Sequence, residues 1–279
     1  MPQTFFDPAF LRRLRAAADQ PPLRPRVPLW AGTSVVGSVE PDFLYQIGLQ
    51  PLLDVRGQLL KEERPEGPGW HLLGDVTTGL NHLAAALHKA GLAGAWRDEQ
   101  LAVNNQHGQR VGSVERAAVR PLGISTQAVH LVGQAPDGRF WVQQRAFDKP
   151  NDPGLWDTLM GGMISGADTL DSALARETWE EAGLHLADLQ ALRYGGRIHT
   201  CRPARDGGGA GYLDEQLDWY LCTVPDGVVP VNQDGEVERF ALTDGQELLQ
   251  KMQQNEFTLE AMLIQAALLD VLPVLSSRT

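Results

Sequence analysis

Three glutamates in one short stretch carry the chemistry of this chain: Glu177, Glu180 and Glu181, with Arg176 beside the first. At roughly 100° of rotation per residue on a helix they fall on one face, within about 100° of one another. Carboxylates crowded at i, i+3 and i, i+4 repel one another, so such a face calls for a cation. Oxygen ligands of this kind suit magnesium or manganese, which combine a few carboxylates with water and phosphate oxygens. The three glutamates are therefore expected to be both metal ligands and catalytic residues. Arg176 is expected to pair with a neighbouring carboxylate and hold the loop geometry. Gly161 and Gly162 precede the helix and permit close backbone approach to a bound group. Asp168, near the helix start, reads as its N-cap, with Asp171 a second acid near the positive helix end.

Other residues qualify by position. Glu236 and Glu238 alternate onto one face of a strand. Glu236, at the loop edge, is the better candidate for a general base, although a member of the glutamate trio could serve equally. Arg145 and Lys149 follow a strand leading toward the trio and could meet the outer oxygens of a diphosphate. Trp156 lies five residues before Gly161 and offers a stacking surface for a heterocycle, or an ordinary core tryptophan. His130 and His199 fall within strand patterns without metal-ligand spacing and read as structural. The glycine run at 207–211 lacks the Lys-Ser/Thr ending of a phosphate loop and reads as a hairpin tip.

Elements must deliver these residues to one place. Asp7-Pro8 can cap and open an amphipathic helix, and a connector containing Pro21, Pro22, Pro25 and Pro28 follows. A strand at 32–40, a short helix at 41–50 and a helix capped by Thr77 or Thr78 and closed by Gly91 come next. Residues 99–103 and 110–114 read as a hairpin. The chain is expected to divide near residue 118 into a small α+β unit (1–118), with no chemistry-bearing cluster, and a second unit (119–279). In the second unit, strands at 124–132 and 139–144 flank a Pro-Asp-Gly turn. Strands at 190–199, 216–223 and 237–242 follow, then helices at 244–252 and 259–272. Strands around one central helix, closed by helices, imply an α/β fold with a mixed sheet between helices.

Composition narrows the function classes. A chain of 279 residues with 43% hydrophobic content can bury one large or two modest cores. A net charge of −11 argues against coating a nucleic acid polymer, which needs clustered Lys and Arg. It leaves room for a small phosphorylated substrate, because metal ions can supply local positive charge. Cys201 and Cys222 form no disulfide framework, no apolar run suits a membrane span, and the N-terminus lacks a signal-peptide core. The expectation is a cytoplasmic protein.

The stretch from 162 to 184 resembles the Nudix box: Gly, five residues, Glu, seven residues, Arg-Glu-apolar-any-Glu-Glu-any-Gly-apolar. Gly162, Arg176, Glu177, Glu180, Glu181, Gly183 and Leu184 match in register. Asp168 stands where the family has Glu, and Thr178 where it has an aliphatic residue. The resemblance implies a Nudix α/β/α sandwich with the box as loop, helix and loop against the sheet, and Mg2+- or Mn2+-dependent hydrolysis of a diphosphate. Residues 116–133, 141–162 and 234–240 are further similar to a Nudix subfamily related to thiamin pyrophosphokinase. Trp96-Arg97-Asp98-Glu99 and Val114-Glu115-Arg116 are similar to its characteristic N-terminal domain. That likeness implies a thiamin diphosphate-like substrate, oxidised forms favoured, with release of a monophosphate. The N-terminal unit is then expected to help close the pocket or to mediate homodimer contacts. Alternatives within the resemblance are a nucleotide-sugar or dinucleotide pyrophosphatase, an isopentenyl diphosphate isomerase-like enzyme and a non-catalytic sensor. The isomerase needs a cysteine and a glutamate poised across an alkene, and a sensor would be expected to lose box glutamates.

Overall fold

A computed structural model describes residues 6–47 and 59–269. The strand that organises the second half is β7 (Thr126–Gln134). Its apolar residues alternate as the pleat requires, Ala128 and Val132 toward one face and Val129 and Leu131 toward the other. β7 runs parallel to β12 (Gly211–Thr223) and antiparallel to β8 (Phe140–Arg145) and β10 (Met160–Met163). With β11 (Gln190–Ala204), β13 (Val237–Thr243) and the short β9 (Trp156–Asp157) they make a seven-stranded mixed sheet, its main path ordered β11-β12-β7-β8-β13.

Helices cover both faces. α3 (Leu170–Ala182) buries Ala173, Leu174 and Ala182 against Val129, Leu131 and Cys222. α4 (Gly245–Gln253) and α5 (Leu259–Leu268) cover the opposite face. α1 (Pro8–Ala18) joins them, opened by Asp7 and Pro8 as expected, with Asp7 Oδ1 accepting from Ala9 N at 2.9 Å. Although α1 comes early in the chain, Phe10, Leu11 and Leu14 pack into this second-half core beside α5 and β11. The result is a mixed α/β architecture with a sheet between helical layers.

The first half supplies a four-stranded sheet ordered β2-β1-β4-β3, from β1 (Val27–Ala31), β2 (Ser34–Val39), β3 (Leu59–Arg64) and β4 (Gly67–Leu72). α2 (Val76–Lys89) and the antiparallel hairpin of β5 (Gln100–Asn104) and β6 (Arg110–Glu115) complete its core.

Several local expectations change. The proline connector ends in a strand: Pro28 lies in β1, but pairing with β4 begins only at Leu29, so the missing N–H falls outside that ladder. The α2 cap is Asp75, whose Oδ1 accepts from Thr78 N at 2.8 Å, in place of Thr77 or Thr78. The short helix after Pro41 is a 3-10 turn over Phe43–Ile47. The remainder of that expected helix, and the end of the last one, lie outside the described residues. β11 and β12 are longer than their apolar patterns suggested and meet at a turn containing the 207–209 glycines. Among the described residues no helix is long and apolar enough to cross a membrane.

Candidate active site

The box glutamates reach a common cavity because α3 is fixed at both ends. Thr169, rather than Asp168, is its N-cap: Thr169 Oγ1 accepts from Ser172 N at 3.2 Å and Ser172 Oγ takes Thr169 N at 2.9 Å. Gly183 closes the helix at φ 63, a left-handed conformation that suits glycine. Thr178 is fully buried, and its hydroxyl donates to Leu174 O at 2.6 Å, so the polar atom is satisfied within the helix.

Asp168 has a different task from capping. Its Oδ2 accepts from Arg176 Nε at 3.0 Å and Nη2 at 2.7 Å, while Arg176 Nη1 lies 2.8 Å from both Glu177 Oε1 and Glu180 Oε2. One guanidinium thus serves three carboxylates. Burial disfavours its charge, but those carboxylates outweigh burial and raise its pKa. Glu181 is 2% exposed, and its Oε2 accepts from Gly161 N at 2.9 Å and Gln143 Nε2 at 2.8 Å. Burial pushes Glu181 up to about 8 and Glu177 up to about 7. Gly162 is where the sheet and the helix meet most closely: a Cβ there would sit 2.1 Å from Glu177 Cδ.

Gly161, Gly162, Arg176 and the three glutamates line a cavity of about 310 Å³ together with Arg145, Lys149 and Glu236. Lys149 donates to Glu236 across two loops. Burial raises the Glu236 carboxyl, and the Lys149 pair more than offsets this and holds it below the usual range. Arg145 approaches Asp157 Oδ2 at 3.7 Å and donates to Asn151 O at 3.2 Å. Trp156 is not among the cavity-lining residues. It is 6% exposed in the core, with the Arg239 guanidinium and the Lys251 ammonium each 5.2 Å from its ring. Glu238 does not line the cavity either. His130 does, buried and lowered by that burial, with Nδ1 3.1 Å from Thr158 Oγ1. His199 lies 2.7 Å from Asp214, away from the glutamates.

Among the described residues no set of three acidic, histidine or cysteine side chains converges as a preformed metal cage. The donor chemistry nevertheless fits a hard divalent cation. Three carboxylates share one cavity wall, two of them pushed well above their ordinary range by burial, and Glu177 and Glu180 are folded onto Arg176.

Sequence reasoning missed Gln143, Arg116, Arg120, Arg202 and Glu215, all in or behind this cavity. Gln143 carried only a weak signal, the first of two amides that follow the apolar Phe140–Val142 run of β8. Arg202 and Glu215 are delivered by non-local sheet order, and Arg116 and Arg120 by the 3-10 turn and loop between β6 and β7. A second cavity, of about 270 Å³, adjoins the first, and Arg116, Arg120 and Glu215 line both.

Residues 125–262 match the NUDIX domain family, so the second half of the chain carries a NUDIX domain. The chain is 33% identical over 141 residues to Nudix hydrolase 20, chloroplastic, of Arabidopsis thaliana, covering 47% of this chain and 34% of that one. It is also 32% identical over 98 residues to an isopentenyl-diphosphate Delta-isomerase of Streptomyces avermitilis, covering 34% of this chain and 50% of that protein. A crystal structure of DR0079 from Deinococcus radiodurans aligns with TM-score 0.49 at 20% identity, over 61% of this chain and 99% of that one. The chain spans about a third to three fifths of the length of the first curated relatives it matches.

Proposed function

We propose that the protein is a divalent-metal-dependent hydrolase of small-molecule diphosphates. The observation that carries this reading is that Glu177, Glu180 and Glu181 line the same cavity as Lys149 and Arg145. Glu177, Glu180 and Glu181 would hold Mg2+ or Mn2+, which when bound neutralises phosphate charge and lowers the pKa of a water. Lys149 and Arg145 orient the outer phosphate oxygens. Water adds to one phosphorus as its bond to the bridging oxygen breaks, giving two phosphate products, one of them the monophosphate of the substrate's organic group. Glu236 takes the water's proton in this scheme: an arriving phosphate competes for Lys149 and releases the carboxylate to act as a base. The organic group extends into the adjoining cavity walled by Arg116, Arg120 and Glu215.

For the organic group we propose a thiamin diphosphate-like compound, with oxidised forms favoured, on the likeness of residues 116–133, 141–162 and 234–240 to the thiamin pyrophosphokinase-related subfamily. We further propose that residues 1–118 act as an accessory unit to a hydrolase unit at 119–279. Isomerase chemistry of the cysteine-dependent kind is disfavoured. Cys222 is buried against α3, its thiol pushed up to about 12, and neither cysteine lines the glutamate cavity.

The test is turnover with Mg2+ across oxidised thiamin diphosphates, ADP-ribose, NADH, dinucleoside polyphosphates and 8-oxo-dGTP, for the native chain and Glu181→Gln. Loss of one hard ligand should lower kcat by more than about a hundredfold with the fold intact. A folded, fully active Glu181→Gln protein rejects the hydrolase reading. A nucleotide preferred by more than about a hundredfold in kcat/KM rejects only the substrate.

A further inference from the structure

The β5–β6 hairpin belongs to the first half of the chain, yet it is hydrogen-bonded to the loop that leads into the box helix. Gly166 N donates to Gln100 O at 2.6 Å, and Leu101 bridges Ser165 in antiparallel fashion. From β6, Arg110 donates through Nη1 to Gly166 O at 3.0 Å and through Nη2 to Asp168 O at 2.8 Å. The two surfaces are pressed together: a Cβ on Gly166 would stand 3.1 Å from Ser113 Cβ. Arg110 is exposed and is not among the residues lining the glutamate cavity.

Its reach into that cavity is indirect. The two carbonyls it holds bracket residues 166–168, so they fix the backbone that aims the Asp168 side chain. Asp168 in turn holds the Arg176 fork, and Arg176 Nη1 positions Glu177 and Glu180. Other support for the loop comes from Ser165, whose Oγ accepts from Ala167 N at 3.3 Å and whose O accepts from Asp168 N at 3.2 Å, and from Ser172 Oγ, which donates to Asp168 Oδ1 at 3.1 Å. A guanidinium suits this task because its planar fork can satisfy two acceptors in a set geometry, which a lysine ammonium cannot reproduce.

We propose that Arg110 is a positioning residue for the metal site, and that the β5–β6 hairpin is a working part of that site. The inference rests on the metal-dependent reading above. It assigns the first half of the chain a role in aligning the carboxylates, separate from any contact with substrate.

The experiment measures Mn2+ binding by the loss of the free-ion paramagnetic resonance signal, without substrate, in the full chain. Outer-shell partners of a metal site typically change affinity by 10–100-fold, and Arg110→Ala, one step further out, should weaken Mn2+ by roughly tenfold. Arg110→Lys should recover only part of that loss. Arg64→Ala, which removes contacts to Gly32, Glu62 and Trp30 within the four-stranded sheet of the same half, should leave the Mn2+ constant within about twofold. Circular dichroism checks that each variant is folded. Native-like Mn2+ affinity in folded Arg110→Ala, or an equal loss in Arg64→Ala, overturns the positioning role. A native chain that binds no Mn2+ overturns the metal reading and this proposal together.

Discussion

Glu236 shows how one contact changes the reading of a residue. Its position at the start of a strand marked it as a candidate base, and the Lys149 pair now makes its basicity conditional on substrate. A general base typically contributes 10²–10⁴-fold, so Glu236→Gln should lower kcat by about that factor while KM stays within about threefold. Steady-state kinetics with the best diphosphate decides it: a fall of less than about tenfold moves the base to one of the box glutamates. Asp168 gives the complementary lesson. Its acidic type and its place before a helix fit a cap, but one hydroxyl further along fits better, and the carboxylate is drawn to Arg176 instead. Short-range sequence spacing could not separate the two, because Arg176 lies about two turns into the helix that follows Asp168.

At the level of elements, what was legible followed from local signals. The hairpins at β5–β6 and β7–β8 announce themselves through turn residues between apolar runs, and α3 through its glutamate spacing and Gly183. β1, β3 and β4 did not stand out. β3 is mostly charged or half-exposed, β4 is glycine- and proline-rich, and β1 contains a proline. Their pairing is settled by Leu29, Trp70 and Leu72 finding a common core with α2, a tertiary effect that no local window contains. The same holds for Arg202 and Glu215, which reach the cavity through sheet order. Gly183 is where local signal and tertiary fit agree. Besides its φ of 63, a Cβ would stand 2.6 Å from Val231 O. Gly183→Ala should therefore destabilise by more than about 1 kcal/mol, read as a lower denaturant midpoint at unchanged slope. An unchanged midpoint would mean that the helix end relaxes freely.

For the whole molecule, the raised carboxylates set a pH dependence. Glu177 near 7 and Glu181 near 8 compare with an ordinary value of 4.5. Between those values the folded protein holds more protons than the unfolded chain, so their contribution to stability is full below about pH 4.5 and is lost as pH rises through 7 and 8. A divalent cation needs both groups deprotonated, so its stabilisation should grow over the same range. Melting temperatures with chelator and with excess Mg2+ should differ little near about pH 5.5 and clearly near about pH 8.5. A Mg2+ increment that is flat with pH would detach these carboxylates from the ion.

The placement of α1 has a consequence for how the chain is made. Its apolar stripe rests on α5 and β11, so about 240 residues separate the helix from the later of its two partners. At about 5–20 residues per second of synthesis, that is on the order of 12–50 s during which Phe10, Leu11 and Leu14 have left the ribosome without a surface to cover them. The interval invites a chaperone while translation is under way. It also makes ribosome stalling before α5 more damaging to yield than stalling of equal length after it.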